Sequence, residues 1–412
     1  MGRRVSRPDR IAVVGASAAG LGVAEALRRR GFEGAVTLVG AETHLPYDRP
    51  PLSKQLLSGA WETDRLRLRS DEAVRDLDLD LRLGKAATAL DPVARKLTVD
   101  DGEVVGYDEL VITTGVRARR LPGTEDVAGV HVLRTLDDAL ALREALAGRP
   151  RLVVVGGGFM GAESAAVARE LGAEVTMVTD TPMPLADVLG DVLGGVLTAT
   201  HRDHCVRVEA GVLVEGVLAE DGRVTGVRLS DERTLPADLV LVAIGAIPNT
   251  EWLAGSGVPV GNGVECDATC SAGPGVWAAG DVASWTHPDL GQRIRIEHRT
   301  NATEQAMAVA RNLLADDGEM SEFAPVPYIW SDQYDRKIQI YGRPQGADRV
   351  DVVEGSVPER KLVAVYSSQG RVCAAVGINM ARAVRGFRPL VAERRPRPEA
   401  GRLVSADRGE HA

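Results

Sequence analysis

Two stretches of the chain share one order of apolar and polar positions. The first runs from the apolar strand IAVV through the glycine-rich turn GASAAG and the helical stretch LGVAEALRRRG to a second strand, AVTLVG. The second reads RLVVV, GGGFMG, AESAAVARELGA and EVTMV, and its Gly156 stands 141 positions after the Gly15 of the first. Short apolar runs bounded by glycine predict buried strands, and the mixed spacing between them predicts a helix, so each stretch is a strand–turn–helix–strand unit. Strands alternating with helices in this way predict doubly wound parallel sheets, an α/β fold. The later apolar segment ADLVLVAIGAIPNT reads as the chain returning to the first domain, and no short-period repeat is present.

The turns carry the first chemistry. Where a strand meets a helix over glycines, backbone amides at the helix start point at a pyrophosphate, and small residues let it approach. Gly156, Gly158 and Gly161 complete a GxGxxG pattern; in the first turn Gly15 and Gly20 are present and Ser17 takes the middle position. Either turn alone is a weak signal, with a tight bend and no ligand as its other reading. Two in matching context predict two dinucleotide sites, a flavin facing a nicotinamide. An acid about 20 residues past such a turn holds ribose hydroxyls. Glu42 is the candidate after the first unit, with a plain loop carboxylate as the other reading, and Asp180, behind Thr179, is the candidate after the second. No Arg or Lys lies within VTDTPMPLAD to meet a 2′-phosphate, which favours NADH over NADPH.

Composition removes other classes. At 412 residues the chain exceeds one ordinary core, and two or three domains are expected. A formal net charge of −9 with 4% aromatics gives no basis for nucleic-acid binding. No apolar run approaches the roughly 18 residues of a spanning helix, and the glycines after MGRRVSRPDR suit a turn better than a leader core, so a cytoplasmic protein without membrane association is expected. Cys205, Cys266, Cys270 and Cys373 form no CxxC pair and read as reduced structural thiols. The cluster HRDHC at 201–205 has the residue types of a metal site; without a further spaced ligand set it reads as a solvated helix end, and no metal is expected.

The segment LPYDRPPLSK, residues 45–54, holds three prolines among charges. Each proline fixes its own backbone angle and biases the residue before it toward extended conformations, so the strip is expected to be pre-shaped and non-helical until about Leu52. A stiff strip holds charges accurately. Arg49 suits phosphate as a fixed fork and Lys54 suits a flavin ring that becomes electron-rich on reduction, although a rigid surface turn with ordinary charges has the same spacing. Together with YDELVITTG, VVVGGGFMGAES, AIGAIPNTEWL, VWAAGDVA, EHRTNATEQA and YIWSDQYDRKIQIYG, in that order, the strip resembles the FAD-dependent ferredoxin reductases. This is the group of putidaredoxin reductase and the reductases of bacterial aromatic-ring dioxygenases, within the pyridine nucleotide-disulfide oxidoreductase superfamily. The resemblance covers residues 10 to 392. The proline strip and WSDQ are specific to this branch, whereas the glycine turns and AAGD are shared across the superfamily.

The resemblance implies two Rossmann-like dinucleotide-binding domains and a C-terminal α+β sheet domain. Residues 1–119 and 245–322 would form the FAD domain, 120–244 an inserted NAD domain, and 323–412 the C-terminal domain, with a Pro- and charge-rich tail expected to fray after about Arg394. Carried over residue by residue, Gly15, Ser17, Ala19 and Gly20 would hold the FAD pyrophosphate, Glu42 the adenosine ribose and Asp281 the ribityl chain, with Arg49 and Lys54 along the pyrophosphate and flavin. Gly156, Gly158, Phe159, Met160 and Gly161 would receive the NADH pyrophosphate, with Asp180 at its ribose and Gly245 near the nicotinamide ribose. Glu163 would sit near the nicotinamide, paired with Lys54, and Glu297 and Trp330 would complete the walls around the rings. Each has a plainer reading: Glu163 as a solvated first-turn acid, Trp330 as core, and Glu297 with His298 as a surface pair.

Disulfide reductases of the superfamily carry cysteines shortly after the first glycine turn, but residues 21 to 110 here contain none. Electrons on the flavin must then leave to an external acceptor. The resemblance implies hydride transfer from NADH to FAD and single-electron transfer to a small acidic 2Fe–2S ferredoxin that feeds a haem-thiolate monooxygenase or a ring-hydroxylating dioxygenase. Lys54, Glu163, Glu297 and Trp330 would serve the reaction. Arg65, Arg67 and Arg69, or Arg293, Arg295 and Arg299, would offer a basic docking face, with ordinary solvated arginines as the plain alternative. Arg299 departs from the family, where an aromatic residue is frequent. The competing readings are a flavoprotein that reduces a small molecule or rubredoxin, and a redox signalling protein of the apoptosis-inducing-factor kind.

Overall fold

The computed structural model describes residues 8–316 and 319–397. The chain packs as two compact units: one holds the residues up to Pro51, Trp61–Arg117 and Ala246–Pro325, and the other holds Leu52–Ala60, Ala118–Gly245 and the residues from Val326 on.

In the first unit the strand Arg10–Val14 is flanked in parallel by Ala35–Gly40 and Glu109–Ile112, within a six-stranded sheet completed by Leu79–Leu83, Val276–Ala278 and Ser271–Gly273. Ile11 to Val14 are buried without alternation, the pattern of a parallel strand covered on both faces. The helices Ala18–Arg29 and Arg299–Leu313 pack together, and Val23, Leu27 and Val309 join the strands in one apolar core.

The second unit repeats the scheme. Arg151–Val155 lies between Glu174–Thr179 and Leu239–Val242 in a parallel sheet with Arg207–Ala210 and Val130–His131 at its edges. The segment read as the return to the first domain is thus divided: Leu239–Val242 completes this second sheet, and the chain enters the first unit only at Ala246. The same unit holds a five-stranded antiparallel sheet, ordered Tyr328–Gln333, Arg336–Gly342, Arg371–Ile378, Lys361–Ser368 and Arg349–Ser356.

Period-two alternation explains the burial of Lys361–Ser368. Leu362, Ala364 and Tyr366 face the helix Ala186–Asp203, while Val363 and Val365 face Val384, Phe387 and Val391. That helix offers Leu189, Leu193 and Leu197 at four-residue spacing, and Gly190, at φ 68°, interrupts it beside Leu189, whose carbonyl accepts the Tyr366 hydroxyl at 2.7 Å.

Three expectations need correction. Pro50–Ser53 forms a 3-10 turn, so helical geometry begins before Leu52; proline in a first turn forfeits no backbone bond and brings a suitable φ. The chain is still held past Arg394, because Arg397 N donates to Gly370 O at 2.9 Å and its guanidinium meets Asp351 at 2.7 Å. The rest of the expected fray, 398–412, lies outside the described residues. His201 is not a solvated helix end: it follows Leu197 by four residues on the buried face and is 0% exposed, although His204 and Cys205 are exposed. Among the described residues no metal-ligating cluster occurs, and no helix is long and apolar enough to cross a membrane.

Burial pushes His201 down to about 4. An unfolded histidine takes its proton near pH 6.5, so between these values only the unfolded chain is protonated and acid favours unfolding. Stability should therefore fall by up to about 3 kcal/mol as pH drops from about 6.5 to 4. Urea unfolding of the wild type and His201→Gln at pH 7 and 4.5 checks this, since an equal acid loss in both proteins would remove His201 from the effect. Leu197→Ala should lower stability by about 2–5 kcal/mol through the cavity it leaves, read as a shift in the denaturant midpoint.

Candidate functional site

The two glycine turns are built alike. Gly15 sits at φ +119°, where a Cβ would lie 2.1 Å from the Thr113 carbonyl oxygen; a Cβ on Gly20 would lie 1.9 Å from that of Gly15. In the second unit Gly156, at φ +112°, would place a Cβ 2.3 Å from the Ala243 carbonyl oxygen, and Gly161 would place one 2.4 Å from that of Gly156. None of the four positions accepts a side chain. Gly158 is different, because nothing lies within 4 Å of a Cβ there, at the N-cap of the helix Phe159–Glu170. Ser17 caps the helix Ala18–Arg29, and its hydroxyl makes no capping bond. Neither helix has an acid in its first turn, so both positive dipole ends are uncompensated. An open face of backbone donors with positive potential fits a dinucleotide pyrophosphate in both units.

Other candidates gather at the first turn. Gly280 packs against Ala19, a Cβ there lying 2.9 Å from that of Ala19, and this brings the AAGD segment with Asp281 to the start of the helix. Glu42, just past the strand Ala35–Gly40, accepts from the Tyr47 hydroxyl and from Arg49 Nη2, each at 2.5 Å. Arg49 lies over the Tyr47 ring at 4.9 Å. Burial works against its charge, but Tyr47 and Glu42, with Asp281 adding, hold the guanidinium above its ordinary value. Glu42 and Arg49, chosen from the sequence for separate tasks, thus form one cluster through Tyr47, which the sequence reading did not single out.

In the second unit Thr179 is buried, its hydroxyl 2.8 Å from that of Thr181, while Asp180 beside it is exposed. Phe159 packs against the apolar cluster of Leu189 and Leu193, and Met160 next to it is half-buried. Gly245, at φ +91°, has open space at its Cβ position, and its carbonyl accepts from Arg119 N at 3.0 Å.

Lys54 and Glu163 meet within this unit. Lys54 Nζ donates to Glu163 Oε2 at 2.7 Å, Ser53 Oγ donates to the same oxygen at 2.5 Å, and Ser331 Oγ donates to Oε1 at 2.7 Å. Lys54 is 9% exposed and Glu163 5%, so Glu163 is an inward-facing acid rather than a solvated one. A desolvated pair is held only where further donors complete the carboxylate, as the two serines do here. Neither serine stood out in the sequence; the available signal was position, with Ser53 next to Lys54 and Ser331 inside WSDQ.

Trp330 follows the strand's alternation and lies on the opposite face from Ser331, half-buried and stacked on Tyr328 at 5.9 Å, so it is not core. Glu297, exposed in the first unit, pairs with Arg295 at 2.6 Å rather than with His298. The arginines divide. Arg293 donates to the Cys266 and Ser284 carbonyls at 2.9 and 2.6 Å, and Arg299 to Asp48 at 2.5 Å. Arg65, Arg67 and Arg69 are exposed, Arg65 over the Trp61 ring at 4.6 Å and Arg69 paired with Glu25 at 2.5 Å.

This geometry has close counterparts among known proteins. The pyridine nucleotide-disulphide oxidoreductase family matches residues 9–306, and the reductase C-terminal family matches 328–408. A ferredoxin–NAD(P)(+) reductase of a Sphingomonas species is 38% identical over 375 residues, 90% of this chain and 89% of the relative. Putidaredoxin reductase of Pseudomonas putida is 34% identical over 396 residues, 94% of this chain and 93% of the relative. The crystal structure of the covalent putidaredoxin reductase–putidaredoxin complex, 33% identical, matches with a TM-score of 0.90 over 95% of this chain and 94% of that one. Two dinucleotide cradles on parallel sheets, followed by an antiparallel sheet, are therefore an inherited arrangement, and the chain belongs to the pyridine nucleotide-disulphide oxidoreductase family.

Proposed function

We propose that this oxidoreductase is a ferredoxin reductase that draws electrons from NADH and delivers them singly to a small acidic 2Fe–2S ferredoxin. That ferredoxin would serve a haem-thiolate monooxygenase or a ring-hydroxylating dioxygenase. The observation that carries the reading is the pair of dinucleotide cradles in a chain with no cysteine between residues 21 and 110 to take electrons onward. FAD and a pyridine nucleotide are the cofactors the family implies; FAD, when bound, accepts a hydride from reduced nicotinamide and releases the electrons one at a time.

The chain's own residues bind and orient. Gly15, Ser17, Ala19 and Gly20 hold the FAD pyrophosphate at a helix start, Glu42 takes the adenosine ribose, Asp281 the ribityl chain, and Arg49 supplies fixed positive charge. Gly156, Gly158, Phe159, Met160 and Gly161 receive the nicotinamide dinucleotide, with Gly245 toward its nicotinamide end. Exposed Asp180 accepts ribose hydroxyls and repels a 2′-phosphate, which selects NADH. Lys54 supplies a fixed ammonium for flavin reduction, and Glu163 holds that ammonium. Trp330, half-exposed, is available to a ring or to the acceptor, and Glu297 to the flavin rim. Arg65, stacked over Trp61, steers an acidic partner, chiefly raising its rate of encounter. We assign the chain an FAD domain of 1–119 and 245–322, of which Leu52–Ala60 packs in the second unit, an NAD domain of 120–244 and a C-terminal domain from 323. The four free cysteines suit a cytoplasmic setting.

Stopped-flow mixing of the FAD-loaded protein with NADH should bleach the flavin, and added oxidised 2Fe–2S ferredoxin should restore its colour. Bleaching that ferredoxin cannot reverse would move the acceptor to a small molecule. NADPH should be at least about tenfold less efficient, a difference of about 1.4 kcal/mol; equal efficiency would remove Asp180 from cofactor choice. Lys54→Met should cost about 3–5 kcal/mol of stability by leaving Glu163 buried without its partner. The double variant Lys54→Met/Glu163→Gln should recover much of that stability while flavin reduction stays slow. Recovery of both would make the pair purely structural.

A further inference from the structure

Glu163 ends a longer chain of buried polar groups, all within the second unit. Ser331 Oγ, 2.7 Å from Glu163 Oε1, lies 3.2 Å from Gln333 Nε2. Gln333 Oε1 lies 3.1 Å from His201 Nε2, and His201 Nδ1 lies 3.1 Å from the Tyr334 hydroxyl. Ser331 and His201 are 0% exposed and Gln333 is 1%, so water has no place to interrupt the chain.

The direction of every bond follows from one end. A carboxylate paired with an ammonium only accepts, so Ser331 donates to it and must accept from Gln333. The Gln333 amide nitrogen therefore faces Ser331, and its carbonyl oxygen faces His201. That oxygen only accepts, so His201 carries its proton on Nε2. Burial keeps the ring neutral above about pH 4, which leaves Nδ1 as an acceptor from Tyr334. Burial also holds the Tyr334 hydroxyl above its ordinary value, so it stays a donor. All four protons point toward Glu163.

The fold maintains this arrangement against cheaper alternatives. Ile329, on the same face of the strand as Ser331 and Gln333, packs in the apolar cluster around Leu193 and Leu197, and apolar side chains would satisfy the two neighbouring positions without any need for partners. Tyr334 sits at φ 54°, a conformation few non-glycine residues adopt, and its ring is stacked on His204 at 3.7 Å and 10°.

We propose that Ser331, Gln333 and His201 are positioning residues: a directed chain of donors fixes the Glu163 carboxylate and, through it, the orientation of the Lys54 ammonium. The proposal rests on the role given to Lys54 and Glu163 in flavin reduction. A serial chain has a signature that independent packing effects lack. Once Ser331 is lost, losing Gln333 removes nothing more from Glu163, so the two changes are non-additive.

The test uses FAD-loaded protein with 13C-labelled glutamate, in which the antisymmetric carboxylate stretch of Glu163 is identified by its loss in Glu163→Gln. The band should shift in Ser331→Ala and in Gln333→Met. Flavin reduction at saturating NADH should slow about tenfold in each, with half-saturating NADH changed less than about twofold, and the double variant should be no slower than Ser331→Ala. An unmoved band in both single variants, or additive slowing in the double variant, overturns the chain. A moved band with unchanged reduction overturns its positioning role. If Glu163→Gln reduces its flavin at the wild-type rate, the underlying assignment of Glu163 fails; slow reduction in Glu163→Gln with an unmoved band in the other variants sinks this proposal alone.

Discussion

A carboxylate and an ammonium buried against each other set the terms for the second unit. Lys54 and Glu163 are both nearly inaccessible, and a lone charge in that setting would cost several kcal/mol. The pair therefore has to be built from both sides at once. The 3-10 turn headed by Pro50 and Pro51 brings Ser53 and Lys54, the first turns of Phe159–Glu170 bring Glu163, and Tyr328–Gln333 brings Ser331. Three segments far apart in sequence converge on two oxygens. An apolar replacement of the whole group would be easier to fold, so its retention suits a function in which a fixed positive charge is needed away from water.

The glycine turns impose the other constraint. In both units a parallel strand ends at a positive-φ glycine whose missing Cβ lets the following turn lie against a neighbouring strand end, at Thr113 in one case and Ala243 in the other. The third glycine then packs against the first. What distinguishes the two copies is the middle position, open at Gly158 and occupied at Ser17 by a hydroxyl that makes no capping bond. A hydroxyl adds one donor to a site that already offers amides, which suits a tightly held group, while bare glycine gives the closer approach suited to one that must come and go.

Much of this was legible in the chain because it is local. The two turns, the acid after each second strand and the stiff strip around Arg49 are patterns within about 30 residues, the scale on which a strand–turn–helix–strand unit forms. What tertiary packing decides was not legible. HRDHC looked like a solvated helix end because its charges outnumber its apolar residues, yet His201 continues the four-residue spacing of Leu193 and Leu197 and is carried inward with them. Ser53 and Ser331 carry no signal of their own; they matter because Glu163 is buried, a fact fixed by strands that lie more than 160 residues away. The helical geometry from Pro50 has a local reason, since proline restrains a chain to a first helical turn as well as to an extended strip.

Charge placement follows the same division between local pattern and packing. The arginines of RLRLRS and those around EHRT are similar in sequence but not in state. Arg293, though exposed, donates to two carbonyls and Arg299 to Asp48, whereas Arg65, Arg67 and Arg69 lie exposed on alternate positions of one segment. A guanidinium paired with a carboxylate contributes little to a partner's approach, because its field is neutralised locally. Arg67 is paired with Asp71 and Arg69 with Glu25, which leaves Arg65, stacked over Trp61, as the least neutralised of the three in its segment. On a chain of net charge −9, attraction of an acidic partner must come from such local excess rather than from the total. It would therefore be short-ranged, because salt screens it beyond a Debye length of about 10 Å at about 0.1 M ionic strength.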